Sequence, residues 1–172
     1  MGELATPDTA STDVSTHVEQ VVDLVVSRAL TQAVLVGFSY GGYVIGGVAD
    51  RVPERIARLI YLDAFLPQAG KCFLDLLPPP VRATMEAAAA EHGEGWRIPP
   101  APVEMVGGIG ALEPGVDPEH VDAVLARRGP HPIGTYRQVV DPESGTMPRI
   151  FLSCTDKAAG DPLLAQLSLI HI

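Results

Sequence analysis

The run Ala33-Val34-Leu35-Val36-Gly37-Phe38-Ser39-Tyr40-Gly41-Gly42 constrains this chain more than any other stretch. Its first half is short, wholly apolar and valine-rich, and ends on glycine. That is the pattern of a strand buried on both faces in a parallel sheet. From about Gly41 to Arg51 the sequence reads as a helix, and Pro53 begins the next connection. Gly-x-Ser-x-Gly between a buried strand and a helix is a nucleophile elbow. The serine must sit on a sharp turn, so that Ser39 Oγ projects at the carboxyl edge of the sheet. Gly37 and Gly41 flank the turn, where side chains are expected to collide with the neighbouring strand and helix. Gly42, Gly46 and Gly47 are expected to let the helix lie close to the sheet. The amide of Tyr40, at a helix N-terminus, is placed to stabilise an oxyanion.

Other glycine motifs do not fit. A phosphate loop needs a Gly-Lys-Ser/Thr ending, whereas Gly42 is followed by Tyr43. The dinucleotide fingerprint needs glycine where Ser39 stands. The apolar run Ala33–Ala49 is 17 residues long and holds Ser39 and five glycines. It falls short of the roughly 20 apolar residues of a membrane-spanning helix.

The flanking segments give the fold class. Ser15-Thr16-His17-Val18-Glu19 reads as a helix start, and its apolar face continues to about Leu30. Arg58–Asp63 is a second buried strand. Fourteen of the sixteen prolines lie beyond residue 66. That region holds two expected helices, at about 80–92 and 118–128, and no strand signal before Arg149–Ser153. Residues 161–172 read as a short helix and a strand. The result is one α/β domain, with a parallel sheet, helices on both faces and a mainly helical cap insertion. The core comprises 1–66 and 148–172, and the cap 67–147.

Composition narrows the function. The chain has 172 residues, with 12 Lys and Arg against 21 Asp and Glu, a net charge of −9. With no basic stripe and only 5% aromatic residues, nucleic acid and anionic membranes are not expected partners. Cys72 and Cys154 form no Cys-x-x-Cys pair, and no secretory signal opens the chain, so a reduced, cytoplasmic setting is expected. No His, Asp and Glu residues have metal spacing, and no cofactor is called for.

The segment Val34–Gly42, followed by Asp50-Arg-Val-Pro-Glu-Arg-Ile-Ala-Arg-Leu-Ile-Tyr-Leu-Asp-Ala-Phe-Leu-Pro67, resembles the α/β-hydrolase superfamily. It is most similar to esterases related to plant methyl-ester esterases and hydroxynitrile lyases. Gly93–Pro100 resembles cap segments of bacterial members, and the likeness runs from about Leu4 to Asp161. It implies a serine hydrolase acting on a small, apolar carboxylic ester, with a lyase or a non-catalytic binding remnant as alternatives. The family's acid follows the next core strand in a Cys-Thr-x-Asp-like segment. Cys154-Thr155-Asp156-Lys157 makes Asp156 the carried-over acid, with Asp161 and Asp63 as rivals. The family's histidine follows the acid, which leaves His171 as the general base. The order Ser, Asp, His sets aside His17, His92, His120 and His131. The family also opens with strands and an oxyanion loop ahead of the region matching Leu4. Without them the chain is expected to act weakly and to expose a sheet edge at Val34–Val36, through which two copies could pair.

Overall fold

The computed structural model describes residues 7–100, 126–141 and 147–153, together with Glu119 and Ala123. Helix α1 is Val14–Ser27. Its N-cap is Asp13, whose Oδ1 accepts from the Thr16 amide at 2.9 Å. The helix therefore starts ahead of the Ser15–Thr16 cap expected from sequence, because a carboxylate two positions upstream takes the capping role. Strand β1 is Ala33–Ser39, helix α2 is Gly41–Arg51 and strand β2 is Ile56–Ala64. A 3₁₀ turn at Phe73–Leu76 leads to helix α3, Pro79–His92. Glu119, Ala123 and Ala126 have helical backbone, inside the second expected cap helix. Strands β3, Arg97–Ile98, and β4, His131–Pro132, pair antiparallel. They carry no sequence signal, because two residues are too few to show alternation. Helix α4 is Gly134–Arg137, and strand β5 is Arg149–Leu152. The expected helix and strand of residues 161–172 lie outside the described residues.

The main sheet has the order β1-β2-β5, and both pairs are parallel. Val36 faces Ile60, and Ile60 faces Ile150, across the three strands. One face is sealed by α2. Tyr43, Val48 and Ala49 of α2 and Leu59 of β2 are wholly buried, and Tyr61 is nearly so. Helix α1 lies over α2, with Val14, Val18 and Val25 in the same core. At Gly47 a side chain would come within 2.6 Å of a Val18 methyl, so this glycine serves the approach of α1 and not that of the sheet. The Glu19–Arg51 ion pair bridges the two helices at the surface.

The opposite face differs. Val34, Val36 and Phe38 are 53%, 58% and 65% exposed. Register places Phe38 beside Leu62 and Leu62 beside Leu152, which are exposed as well. Helices α1 and α2 lie on one face, and among the described residues the other carries this apolar stripe. Apolar patches of this kind mark association surfaces. At micromolar concentration, sedimentation velocity is expected to show self-association that Val36→Lys weakens. A single monomer boundary for the unsubstituted chain would contradict this.

Candidate active site

The carboxyl end of β1 is built around one unusual backbone. Ser39 closes the strand with φ of +51°, the left-handed region that a side chain makes unfavourable. Such a residue costs about 1–3 kcal/mol and persists only where its surroundings impose it. Tyr40 then has helical angles, φ −54° and ψ −28°, and α2 begins at Gly41. Two hydrogen bonds hold the turn. The Phe65 amide donates to the Ser39 carbonyl at 3.1 Å, and the Tyr43 amide donates to the Tyr40 carbonyl at 2.9 Å.

Two glycines make the turn sterically possible. A Cβ at Gly37 would stand 2.6 Å from the Gly41 carbonyl oxygen, and one at Gly42 would overlap the Phe65 carbonyl. The expectation for Gly41 is corrected, since a side chain there meets nothing within 4 Å. Gly37, inside the strand, is where a side chain would crowd the turn, and Gly41, the first residue of the helix, faces open space. Gly46 makes only ordinary contacts with Pro67 and Tyr61.

The sheet register also slips at this point. Phe38 faces Leu62 but Ser39 faces Ala64, which leaves Asp63 as the extra residue, with φ of +45°. Bulges of this kind re-aim side chains at the ends of strands. The structure thus gathers Ser39, Tyr40, Gly37, Gly41 and Asp63 at the carboxyl edge of the sheet. Asp156, Asp161 and His171 lie outside the described residues.

Sequence order set aside two histidines that the structure places against Tyr40. His17 is buried, with Nδ1 3.1 Å from the Tyr40 hydroxyl and Nε2 3.2 Å from Asp8 Oδ1. The His131 ring lies edge-on to Tyr40 at 5.0 Å and stacks on Tyr136 at 4.4 Å. Phe73 stacks on the far side of Tyr136 at 4.5 Å and meets Tyr40 edge-on. Thr135, wholly buried, donates to the Pro132 carbonyl at 2.7 Å. Its oxygen, 2.7 Å from His131 Nε2, is then free to accept, which puts the proton of His131 on Nε2. Burial, with His17 close by, pushes His131 down to about 4. Burial also raises the phenols of Tyr40 and Tyr43 and pushes Tyr136 up to about 12. Aromatic residues scattered between positions 17 and 136 carry no motif. The one available signal was a histidine in the buried face of α1.

The α/β-hydrolase family model matches residues 1–170, and the chain belongs to that family. This bears out the family read from Val34–Gly42 and Asp50–Pro67. A carbendazim-hydrolysing esterase of a Nocardioides species is 48% identical over 63 residues, 37% of this chain and 26% of the esterase. Among solved structures, an extracellular α/β-hydrolase of a Paenibacillus species superposes with a TM-score of 0.75 at 24% identity, covering 87% of this chain and 62% of that one. A pyrethroid hydrolase of Sphingobium faniae gives 0.59 at 22% identity, again over 87% of this chain and 62% of that one. The chain therefore spans about a quarter of the curated relative and three fifths of these structures.

The strain at Ser39 is measurable. Ser39→Gly is expected to be more stable than Ser39→Ala by about 1 kcal/mol, since glycine alone accepts the positive φ without cost. Urea denaturation of the two variants checks this, and an alanine variant at least as stable as the glycine one would contradict it. The second expectation concerns acid. An unfolded histidine titrates near 6.5 and folded His131 near 4, so between those values the unfolded chain binds the extra proton. The stability that neutral His131 secures is fully present above about pH 6.5 and is lost as pH falls towards 4. His131→Gln, which retains a donor for Thr135, is expected to flatten the fall in melting temperature between pH 7 and 4.5. Parallel curves for the two proteins would refute the assignment.

Proposed function

We propose that this chain forms the nucleophile-bearing part of a serine hydrolase that cleaves small, apolar carboxylic esters through an acyl-serine intermediate. The observation that carries the proposal is the backbone of Ser39, held left-handed between a parallel strand and a helix whose first turn touches β2. A serine held against its own steric preference at a strand end is the arrangement that exposes Oγ to a substrate. Relatives named for hydrolysing carbendazim and pyrethroids support a hydrolytic reading.

In this mechanism Ser39 Oγ attacks the ester carbonyl as its proton passes to a histidine, and the carbonyl π electrons move onto the oxygen. The Tyr40 N–H is a donor to that oxyanion, at a helix end whose first amides lack intrahelical acceptors. The oxyanion collapses, the alcohol leaves with the proton from the histidine, and water repeats the sequence to free the acid. His171 is assigned as the base and Asp156 as the carboxylate that orients it, both carried over from the family pattern. No cofactor enters the scheme. The cysteine usage supports a reducing, cytoplasmic setting. Among the described residues no helix is long and apolar enough to cross a membrane.

A fluorophosphonate probe tests the nucleophile directly. Intact-mass and peptide analysis should find one adduct, on Ser39, that Ser39→Ala abolishes. A p-nitrophenyl ester should then leave an acyl group on the same residue, which a lyase or a binding remnant would not retain. An adduct elsewhere, or none, would overturn the proposal.

A further inference from the structure

Tyr40 is unusual in carrying two duties on one residue. Its backbone belongs to the elbow, and its side chain runs into the protein to meet α1. Its hydroxyl is 3.1 Å from His17 Nδ1, and His17 Nε2 is 3.2 Å from Asp8 Oδ1. Hydrogen-bond chemistry fixes the direction of this chain. A carboxylate oxygen accepts, so Nε2–H of His17 donates to Asp8. In the neutral ring Nδ1 is then a lone pair, and the Tyr40 hydroxyl donates to it. The His17 side chain is 3% exposed and that of Asp8 34%, so the relay runs from the rim of the protein to the elbow.

We infer that Asp8, His17 and the Tyr40 hydroxyl form a positioning relay that holds the elbow, and with it the Tyr40 N–H and Ser39, in the geometry the reaction needs. This rests on the proposed serine chemistry for its purpose, but its structural content stands alone. His17 acts through Tyr40, so it is a positioning residue. The left-handed backbone of Ser39 calls for a device of this kind. Ser39 is strained, and the strain must be opposed on both sides of the turn. On the β2 side the opposing contact is the Phe65 amide to the Ser39 carbonyl. On the α2 side Gly41 and Gly42 have no side chains, and the next one, that of the buried Tyr43, stands four positions from Ser39. The Tyr40 ring is the anchor adjacent to Ser39, clasped by His131, Tyr136 and Phe73 and tied at its tip to α1. Ring packing alone leaves a phenol free to slide or rotate about its long axis. A hydrogen bond at the tip fixes its depth, and a second bond on His17 fixes the acceptor.

The test compares His17→Leu, His17→Asn, His17→Gln and Tyr40→Phe in the full chain. Asparagine places an amide near the position of Nδ1 and keeps a partner for Tyr40. Glutamine reaches instead towards the position of Nε2. Phenylalanine removes one hydroxyl and leaves the backbone N–H in place. Two readouts apply. One is the rate of fluorophosphonate capture at Ser39. The other is hydrogen exchange at the Tyr43 and Phe65 amides, which bond the elbow carbonyls, with the Leu59 amide as a control in the sheet.

His17→Leu, His17→Gln and Tyr40→Phe are expected to slow capture about tenfold and to speed exchange at Tyr43 and Phe65 about tenfold, the scale of one lost buried hydrogen bond. Leu59 should stay protected, and His17→Asn should recover both readouts. Unchanged exchange, equal acceleration at Leu59, or a His17→Asn variant no better than leucine would overturn the inference. If the unsubstituted chain takes no probe at Ser39, the serine chemistry fails, and the exchange pattern alone decides the relay. If His17→Leu does not fold, Tyr40→Phe against the unsubstituted chain decides it by the same criteria.

Discussion

The first turn of α2 lies so close to the end of β2 that no side chain fits between them. That constraint organises the rest of the molecule. Gly42 abuts the Phe65 carbonyl, and Gly37 abuts the carbonyl of Gly41. With both contacts in place the chain has only Ser39 and Tyr40 with which to change from strand to helix, and Ser39 takes the left-handed backbone. The cost of that conformation is offset behind the turn, where Tyr43, Val48 and Ala49 are buried against Leu59 and Tyr61. Strain at the surface and burial beneath it are thus two ends of one helix.

Segments between β2 and β5 are fastened to the same place. Phe73 and the β4–α4 stretch close on Tyr40 through edge-on rings. Gln138, just beyond α4, exchanges two hydrogen bonds with Ser15 at the start of α1. A Cβ at Gly134 would stand 2.6 Å from the Thr12 carbonyl, so the backbones there are nearly in contact. The segments between β2 and β5 and the α1–α2 layer therefore meet at the elbow, and a shift of either is felt by the residue beside Ser39.

How much of this the sequence disclosed follows from the range of each interaction. β1, α2, β2 and β5 were legible because their signals are local: an unbroken apolar run, a helical spacing, a proline that stops it. The elbow was legible because its chemistry is packed into six consecutive residues. The capping role of Asp13 was missed by two positions, since Ser15 and Thr16 carry the same kind of signal. The bulge at Asp63 was invisible, because a register slip is a relation between two strands and leaves no mark on either. The Asp8–His17–Tyr40 relay and the ring cluster were invisible for the same reason. Their members come from the lead-in loop, α1, the elbow and the stretch between β2 and β5, and only the folded chain brings them together. The family's order of catalytic residues also directed attention away from His17 and His131.

The electrostatic character of the elbow follows from that cluster. Burial raises the Tyr40, Tyr43 and Tyr136 phenols and lowers His131, so near neutral pH every one of these groups is uncharged. The first turn of α2 carries no acidic residue to cancel the positive end of the helix. Negative charge forming on an oxygen at Ser39 would meet the oriented amide dipoles at the start of α2 and no fixed charge from these rings. Fixed dipoles of this kind need no reorganisation as charge develops. In the proposed reaction the rigidity of Tyr40 would keep its N–H aimed at that oxygen, while the uncharged rings behind it would add no charge of their own.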